Sequence, residues 1–264
     1  MLISNYHTHT WRCRHADGTD TDFIETAIAA GLRTLGFSDH CPYVGNQYKG
    51  KMDDRMEVEQ LPEYFETLSA LREKYRDKIE ILIGFEVEYF PKTFGDLWAV
   101  LSAYPPDFLI LGQHYSLDWK VGARSFLPQT DPKDLYDYTD NVCAGIETGL
   151  YSCVAHPDVF NWCGDEKLYE AQARRICETA KKYAVPLELN SPGDDVGRYY
   201  PSERFFRIAA DCKNEVIIGC DAHDPEKMTN QAGIERCEEL IASLGLCRTD
   251  TLITLPQRLA AAGR

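Results

Sequence analysis

Seven histidines stand at positions 7, 9, 15, 40, 114, 156 and 223, and some of their intervals are those of metal ligands. His7 and His9 are separated by one residue, which on an extended segment puts both rings on the same side. Asp221 and His223 repeat that spacing. Neutral imidazole nitrogen and carboxylate oxygen suit zinc, iron or manganese, and one carboxylate can bridge two cations. The seven histidines, Asp221 and one glutamate make nine candidate ligands, more than the roughly four positions around a single catalytic zinc. The expectation is two or three divalent metal ions. The glutamate is Glu86 or Glu88, which lie two apart and share a strand face, so spacing leaves both open. Asp17 either ligates a metal or orients His15 as a hydrogen-bond acceptor.

Short apolar runs at 2–6, 34–38, 79–87, 108–112, 152–155, 186–190 and 215–220 read as seven strands. Helix-like stretches alternate with them. Asp22 with Glu25 reads as a capping box for a helix stopping at Gly31, and Pro62 as a first-turn proline before Tyr64, Phe65, Leu68, Leu71 and Tyr75. Further helices are expected near 94–103, 132–148, 165–183, 202–212, 226–244 and 255–262. This alternation is the pattern of a single α/β domain over residues 1–264, a TIM-like (β/α) barrel of seven strands, with an open doubly wound sheet as the alternative. Every histidine falls just after a predicted strand or in the loop that follows it, and Glu86 closes the third strand. In a parallel barrel those strand ends share one face, so the candidate ligands converge. The longest connections, 41–60, 113–131 and 190–201, are the ones expected to shape the site.

The 264 residues carry a formal net charge of −14, which argues against a broad basic face for nucleic acid or an anionic membrane. Ten cysteines are scattered with no C-x-x-C pair, as in a chain with reduced thiols in a cytoplasm. No basic and apolar leader opens the sequence, and no long apolar run reads as a membrane span. The segment 45–52 mimics a phosphate-binding P-loop, but Met52 replaces the hydroxyl residue and no flanking strand and helix are evident. Neither G-x-G-x-x-G nor G-x-S-x-G occurs, and Cys41 and Cys220 read as buried small residues rather than nucleophiles.

The ordered set NYHTHT at 5–10, CRHADG at 13–18, FSDH at 37–40, GFEVEY at 84–89, LGQHY at 111–115, AHPD at 155–158 and CDAHD at 220–224 resembles the polymerase-and-histidinol-phosphatase (PHP) superfamily, most closely its histidinol-phosphatase branch. That resemblance implies a distorted seven-stranded (β/α) barrel with a trinuclear site. Its first metal would take His7, His9, Glu86 and Asp221, its second Glu86 as a bridge with His114 and His156, and its third His15, His40 and His223. It therefore favours Glu86 over Glu88. Two departures stand out: Gln113 before the fourth-strand histidine, and Val-Phe-Asn-Trp after AHPD where related enzymes often carry a basic residue.

The resemblance implies hydrolysis of L-histidinol phosphate to L-histidinol and inorganic phosphate, a step of histidine biosynthesis. Other readings are a PHP phosphoesterase for another small ester or nucleotide, and a catalytically silent metal-binding protein. Glu188-Leu189-Asn190 followed by Arg198 resembles the family's substrate loop, so Arg198 and Asn190 are the substrate-binding candidates. Lys120, Arg124, Arg12 and Arg14 are further cations on presumed site loops. Asp158 and Asp224 lie beside metal ligands, where a proton donor to the leaving alkoxide would be sought, and Asp194 or Asp195 could meet a substrate ammonium. A cytoplasmic monomer or small homo-oligomer is expected. Three divalent cations against two ligating carboxylates would make the pocket positive inside an acidic shell.

Overall fold

Along the fourth to seventh strands, Leu109, Leu111, Val154, Leu187, Leu189, Val216 and Ile218 alternate with Phe108, Ile110, Cys153, Glu188 and Ile217. The first set joins the large core shared with the helices, whereas Phe108, Ile110, Cys153 and Ile217 form a small separate core with Tyr6 and Ala155. Burial on both faces is what a curled parallel sheet wrapped in helices requires.

The computed structural model describes residues 2–45, 47–118, 121–191 and 198–263. Among these, eight parallel strands form one sheet in sequence order: β1 (Ser4–Asn5), β2 (Thr34–His40), β3 (Glu80–Val87), β4 (Phe108–Leu111), β5 (Cys153–Val154), β6 (Leu187–Asn190), β7 (Glu215–Gly219) and β8 (Cys247–Arg248). The first seven match the expected strands. The eighth corrects the count of seven: its two residues pair with Glu215 and Val216 at the start of β7, too short a run for alternation to register. The opposite ends of the sheet differ. At the strands' C-terminal ends the extensions of β1 and β7 meet in a parallel bridge between Thr8 and Ala222, with His9 N–H donating to the Ala222 carbonyl at 2.9 Å. Seven strands therefore reach the mouth, and β8 widens only the base.

Eight α-helices accompany the sheet among the described residues: α1 (Asp20–Ala29), α2 (Leu61–Tyr75), α3 (Phe94–Leu101), α4 (Pro132–Glu147), α5 (Glu166–Lys182), α6 (Glu203–Asp211), α7 (Gln231–Leu244) and α8 (Leu255–Ala261). On α2, Leu61, Tyr64, Leu68 and Tyr75 are buried at spacings of three, four and seven, each burial contributing about 1.5–3 kcal/mol. Two boundaries are corrected. The capping box of α1 is Thr19 with Asp22, because Thr19 occupies the extended position that begins the helix. The stretch 226–244 is not one helix: Pro225–Thr229 makes a 3-10 turn, and the Asn230 side chain then caps α7 by accepting Gly233 N–H. No helix of the described residues is long and apolar enough to cross a membrane.

Candidate metal centre

The seven histidines, Glu86 and Asp221 come together at the C-terminal ends of the strands. His40 ends β2 and lies in register with Glu86 on β3, which places a ring and a carboxylate side by side. The Thr8–Ala222 bridge brings the His7–His9 segment against the Asp221–His223 segment. His156 and Asp221 hold positive φ angles of 27° and 42°, an arrangement that costs a residue with a side chain about 1 kcal/mol or more. Gly112, beside His114, is required by close approach: a Cβ there would lie 1.8 Å from Glu86 Oε1.

Glu86 sits at the centre. Its Oε2 is 2.9 Å from His40 Nδ1, 3.6 Å from His7 Nε2 and 3.7 Å from His9 Nε2, while Oε1 is 2.9 Å from His156 Nε2 and 3.5 Å from His114 Nε2. Asp221 Oδ1 lies 3.0 Å from His9 Nε2 and 3.4 Å from His7 Nε2. His15 completes the group from a more exposed position, its ring centroid 4.5 Å from that of His223 and 5.2 Å from that of His40. Donor atoms lie within 4.8 Å of one another in several trios, among them His7, His9 and Glu86; His40, Glu86 and His114; and His15, His40 and His223. The donors fit divalent cations on a second count. His7 Nε2, His9 Nε2 and His223 Nε2 are buried without a hydrogen-bond partner, a cost of about 1–3 kcal/mol each that coordination would remove.

Burial pulls every imidazole here towards its neutral form, and nearby carboxylates decide which resist. Glu188, Asp221 and Glu86 outweigh burial at His7 and hold it up to about 10. His9 is raised well above its ordinary value by Asp221 and Asp39 against the same burial. His156 is likewise raised by Glu86 and His15 by Cys13, whereas at three rings burial wins: His114 falls to about 4, His223 to about 3, and His40 lies well below its usual value. Despite burial, the surrounding imidazoles hold Glu86 and Asp221 well below the carboxylate range.

The cluster opens into a pocket of about 410 Å³ lined by His15, His40, His114, Asp221 and His223 together with Asp53, Asp54, Tyr115, Arg124, Phe126, Asn190, Arg198, Tyr200 and Lys227. Arg198 reaches it, its guanidinium donating to the Tyr200 hydroxyl. Arg124 and Lys227 line the same pocket, and none of these three cations forms an ion pair among the described residues. Asn190 is there too, but its amide nitrogen donates to Glu188 and Asp221, leaving Oδ1 as its open atom. Arg12 is otherwise occupied, buried with both terminal guanidinium nitrogens on Asp20 and further bonds to Glu63. Arg14 is spent on Glu57 and the Met52 carbonyl. Lys120, Asp194 and Asp195 lie outside the described residues. Asp158 is buried and accepts Ser202 N–H, Asp224 caps the 3-10 turn by accepting Lys227 N–H, and neither is among the residues lining the pocket.

Residues 5–192 match the sequence pattern of the PHP domain. The chain belongs to the PHP domain family. A probable histidinol-phosphatase of Deinococcus radiodurans is 28% identical over 229 residues, 84% of this chain and 87% of that one. A probable phosphatase of Escherichia coli is 23% identical over 264 residues, 98% of this chain and 93% of that one. The crystal structure of histidinol phosphate phosphatase from Lactococcus lactis, complexed with zinc, L-histidinol and phosphate, superposes with a TM-score of 0.72 at 20% identity, covering 96% of this chain and 99% of that one. At that identity the superposition shows a shared fold.

Around the PHP cluster stand carboxylates that spacing did not single out. Glu188 Oε1 accepts His7 Nδ1–H at 2.8 Å and Oε2 accepts His156 N–H at 2.8 Å, so one side chain orients two candidate ligands. A Cβ at Gly219 would lie 1.7 Å from that carboxylate. Asp39 takes the Thr10 hydroxyl and lies 3.5 Å from His9 Nδ1. The available signal was a charged residue at the inward phase of an otherwise apolar strand, as in Leu187-Glu188-Leu189. Asp17 does not orient His15: His15 Nδ1 lies 2.9 Å from the Cys13 carbonyl, and Asp17 instead donates its backbone N–H to His223. The two departures also find reasons. Gln113 bonds Tyr89 N–H and the Tyr115 carbonyl, and Val159, Phe160 and Trp162 are core residues.

Proposed function

We propose that this chain, as one domain over residues 1–264, is a metal-dependent phosphomonoesterase that hydrolyses L-histidinol phosphate to L-histidinol and inorganic phosphate. The observation that carries the reading is the single pocket in which the histidine and carboxylate cluster meets Arg124, Arg198 and Lys227. The histidinol-phosphatase relatives, and the zinc, L-histidinol and phosphate held by the Lactococcus lactis enzyme, support the substrate.

His7, His9, Glu86 and Asp221 would hold one metal ion, Glu86 with His114 and His156 a second, and His15, His40 and His223 a third. When bound, zinc, iron or manganese supplies an activated water and neutralises charge on the phosphoryl oxygens. Glu86 suits the bridging position because Oε2 faces His7 and His9 while Oε1 faces His114 and His156. Arg198, steadied by Tyr200, presents a planar fork to the equatorial oxygens of the phosphoryl group. Tyr115, Phe126 and Tyr200 give the alcohol portion aromatic walls, and Asp53 and Asp54 stand in the pocket as acceptors for a cationic group.

One observation favours a second reading, a different small ester: three cations line the pocket with no ion pair among the described residues, which exceeds what one phosphate requires and suits a substrate with a second anionic group. Phosphate release from a panel of monoesters by metal-loaded protein separates the two. Selective turnover of L-histidinol phosphate is expected. Preference for a doubly anionic ester would transfer the assignment, and no release from any monoester would overturn both readings.

A further inference from the structure

We propose that Glu88 and Arg55 are a buried positioning pair that fixes the backbone of His114 and so sets one wall of the metal centre. The proposal rests on His114 being a metal ligand. Glu88 lies just past the end of β3, two residues after Glu86, and is not in the histidine cluster. Its Oε1 accepts the backbone N–H groups of His114 at 2.9 Å and Tyr115 at 3.1 Å. Its Oε2 takes the Tyr43 hydroxyl and the Arg55 guanidinium, the latter at 3.4 Å. Arg55 donates to the Cys41 carbonyl, next to His40, at 3.2 Å, meets Asp54 at 3.1 Å and stacks 3.9 Å over the Tyr43 ring. Both side chains are buried, at 6% and 3% relative exposure.

The pair acts where the sheet no longer does. The paired residues of β4 end at Leu111, so His114 lies three residues beyond its last ladder partner. Its carbonyl is held by Ser125 N–H at 2.8 Å, and its own N–H is held by Glu88. Glu88 and Arg55 thereby tie together the segments that follow β2, β3 and β4, just past His40 and Glu86 at the ends of the first two strands and at His114 beyond the third. The guanidinium and three hydrogen-bond donors surround the buried carboxyl and oppose the burial that pushes it up to about 7. Groups that hold a ligand in place typically contribute about 10–100-fold to metal affinity.

Glu88→Asp separates positioning from simple charge balance. It keeps a carboxyl group opposite Arg55 but withdraws it from the His114 and Tyr115 amides. The experiment loads wild-type and variant protein with cobalt(II), records the visible spectrum and follows metal loss to a chelator. We expect Glu88→Asp to keep the wild-type far-ultraviolet circular dichroism, to change the cobalt spectrum and to release one ion at least about tenfold faster. A wild-type spectrum and release rate would overturn the proposal, as would failure of the wild-type protein to bind cobalt. If Glu88→Asp does not fold, Tyr43→Phe, which removes only one hydrogen bond to Glu88, is expected to speed release of the same ion several-fold, and an unchanged rate would overturn the proposal. No substrate enters these measurements. Accelerated release in a protein that hydrolyses no phosphate ester would therefore sink the phosphatase reading and leave the positioning role standing.

Discussion

His7 illustrates how a single residue is read twice. Its spacing from His9 marks it as a candidate ligand, and its surroundings fix the proton it carries before metal arrives. With Glu188, Asp221 and Glu86 overcoming burial to hold it up to about 10, His7 is protonated at neutral pH in the metal-free protein. His114 and His223, down at about 4 and 3, are already neutral. A metal ion must therefore displace at least one proton, and because the proton competes for the lone pair, affinity rises as pH climbs towards 10. Zinc titration by calorimetry at pH 7, in two buffers of different ionisation enthalpy, is expected to report release of at least one proton per chain. The apparent affinity should grow by about tenfold per pH unit for each proton displaced. Binding without proton release would contradict the charge state assigned to His7.

Among the elements, the ends of the strands do the positioning, and glycine lets them crowd. Gly112→Ala puts a Cβ within 1.8 Å of Glu86 Oε1, so the carboxylate must move away from His114 and His156. The expected outcome is a folded protein less stable by about 1–3 kcal/mol in urea and short of at least one metal ion by elemental analysis. A full metal complement would show that Glu86 does not need its observed place. The strands that carry the ligands were legible because Val, Ile, Leu and Phe runs in each are bounded by polar loops, and the histidines sit at those boundaries. What escaped was set by tertiary contact. β8 has two residues and no periodicity, and Asn230 restarts a helix through a side-chain bond that composition does not announce. Glu188 and Glu88 each look like one more charged residue until the chain folds, and the histidines they hold lie between 26 and 181 positions away in sequence. For the same reason Arg12 and Arg14 read as free cations although the fold pairs both.

At the scale of the whole molecule, the net charge of −14 and an anionic substrate are reconciled by where the charges lie. Exposed carboxylates are screened over roughly 8 Å at physiological ionic strength. The pocket sets Arg124, Arg198 and Lys227 beside a histidine and carboxylate cluster that could hold metal ions. Curling the sheet brings residues from 7 to 223 to one mouth, so nearly the whole chain contributes to one site. Turnover should then depend on metal and be specific for the ester at once. The most direct measurement is phosphate release from L-histidinol phosphate by protein of known metal content, before chelation, after chelation and after reloading with zinc or manganese. Activity that disappears with the metal and returns with it is the predicted result. Turnover that persists in metal-free protein, or its absence from fully loaded protein, would contradict a metal-dependent histidinol phosphatase.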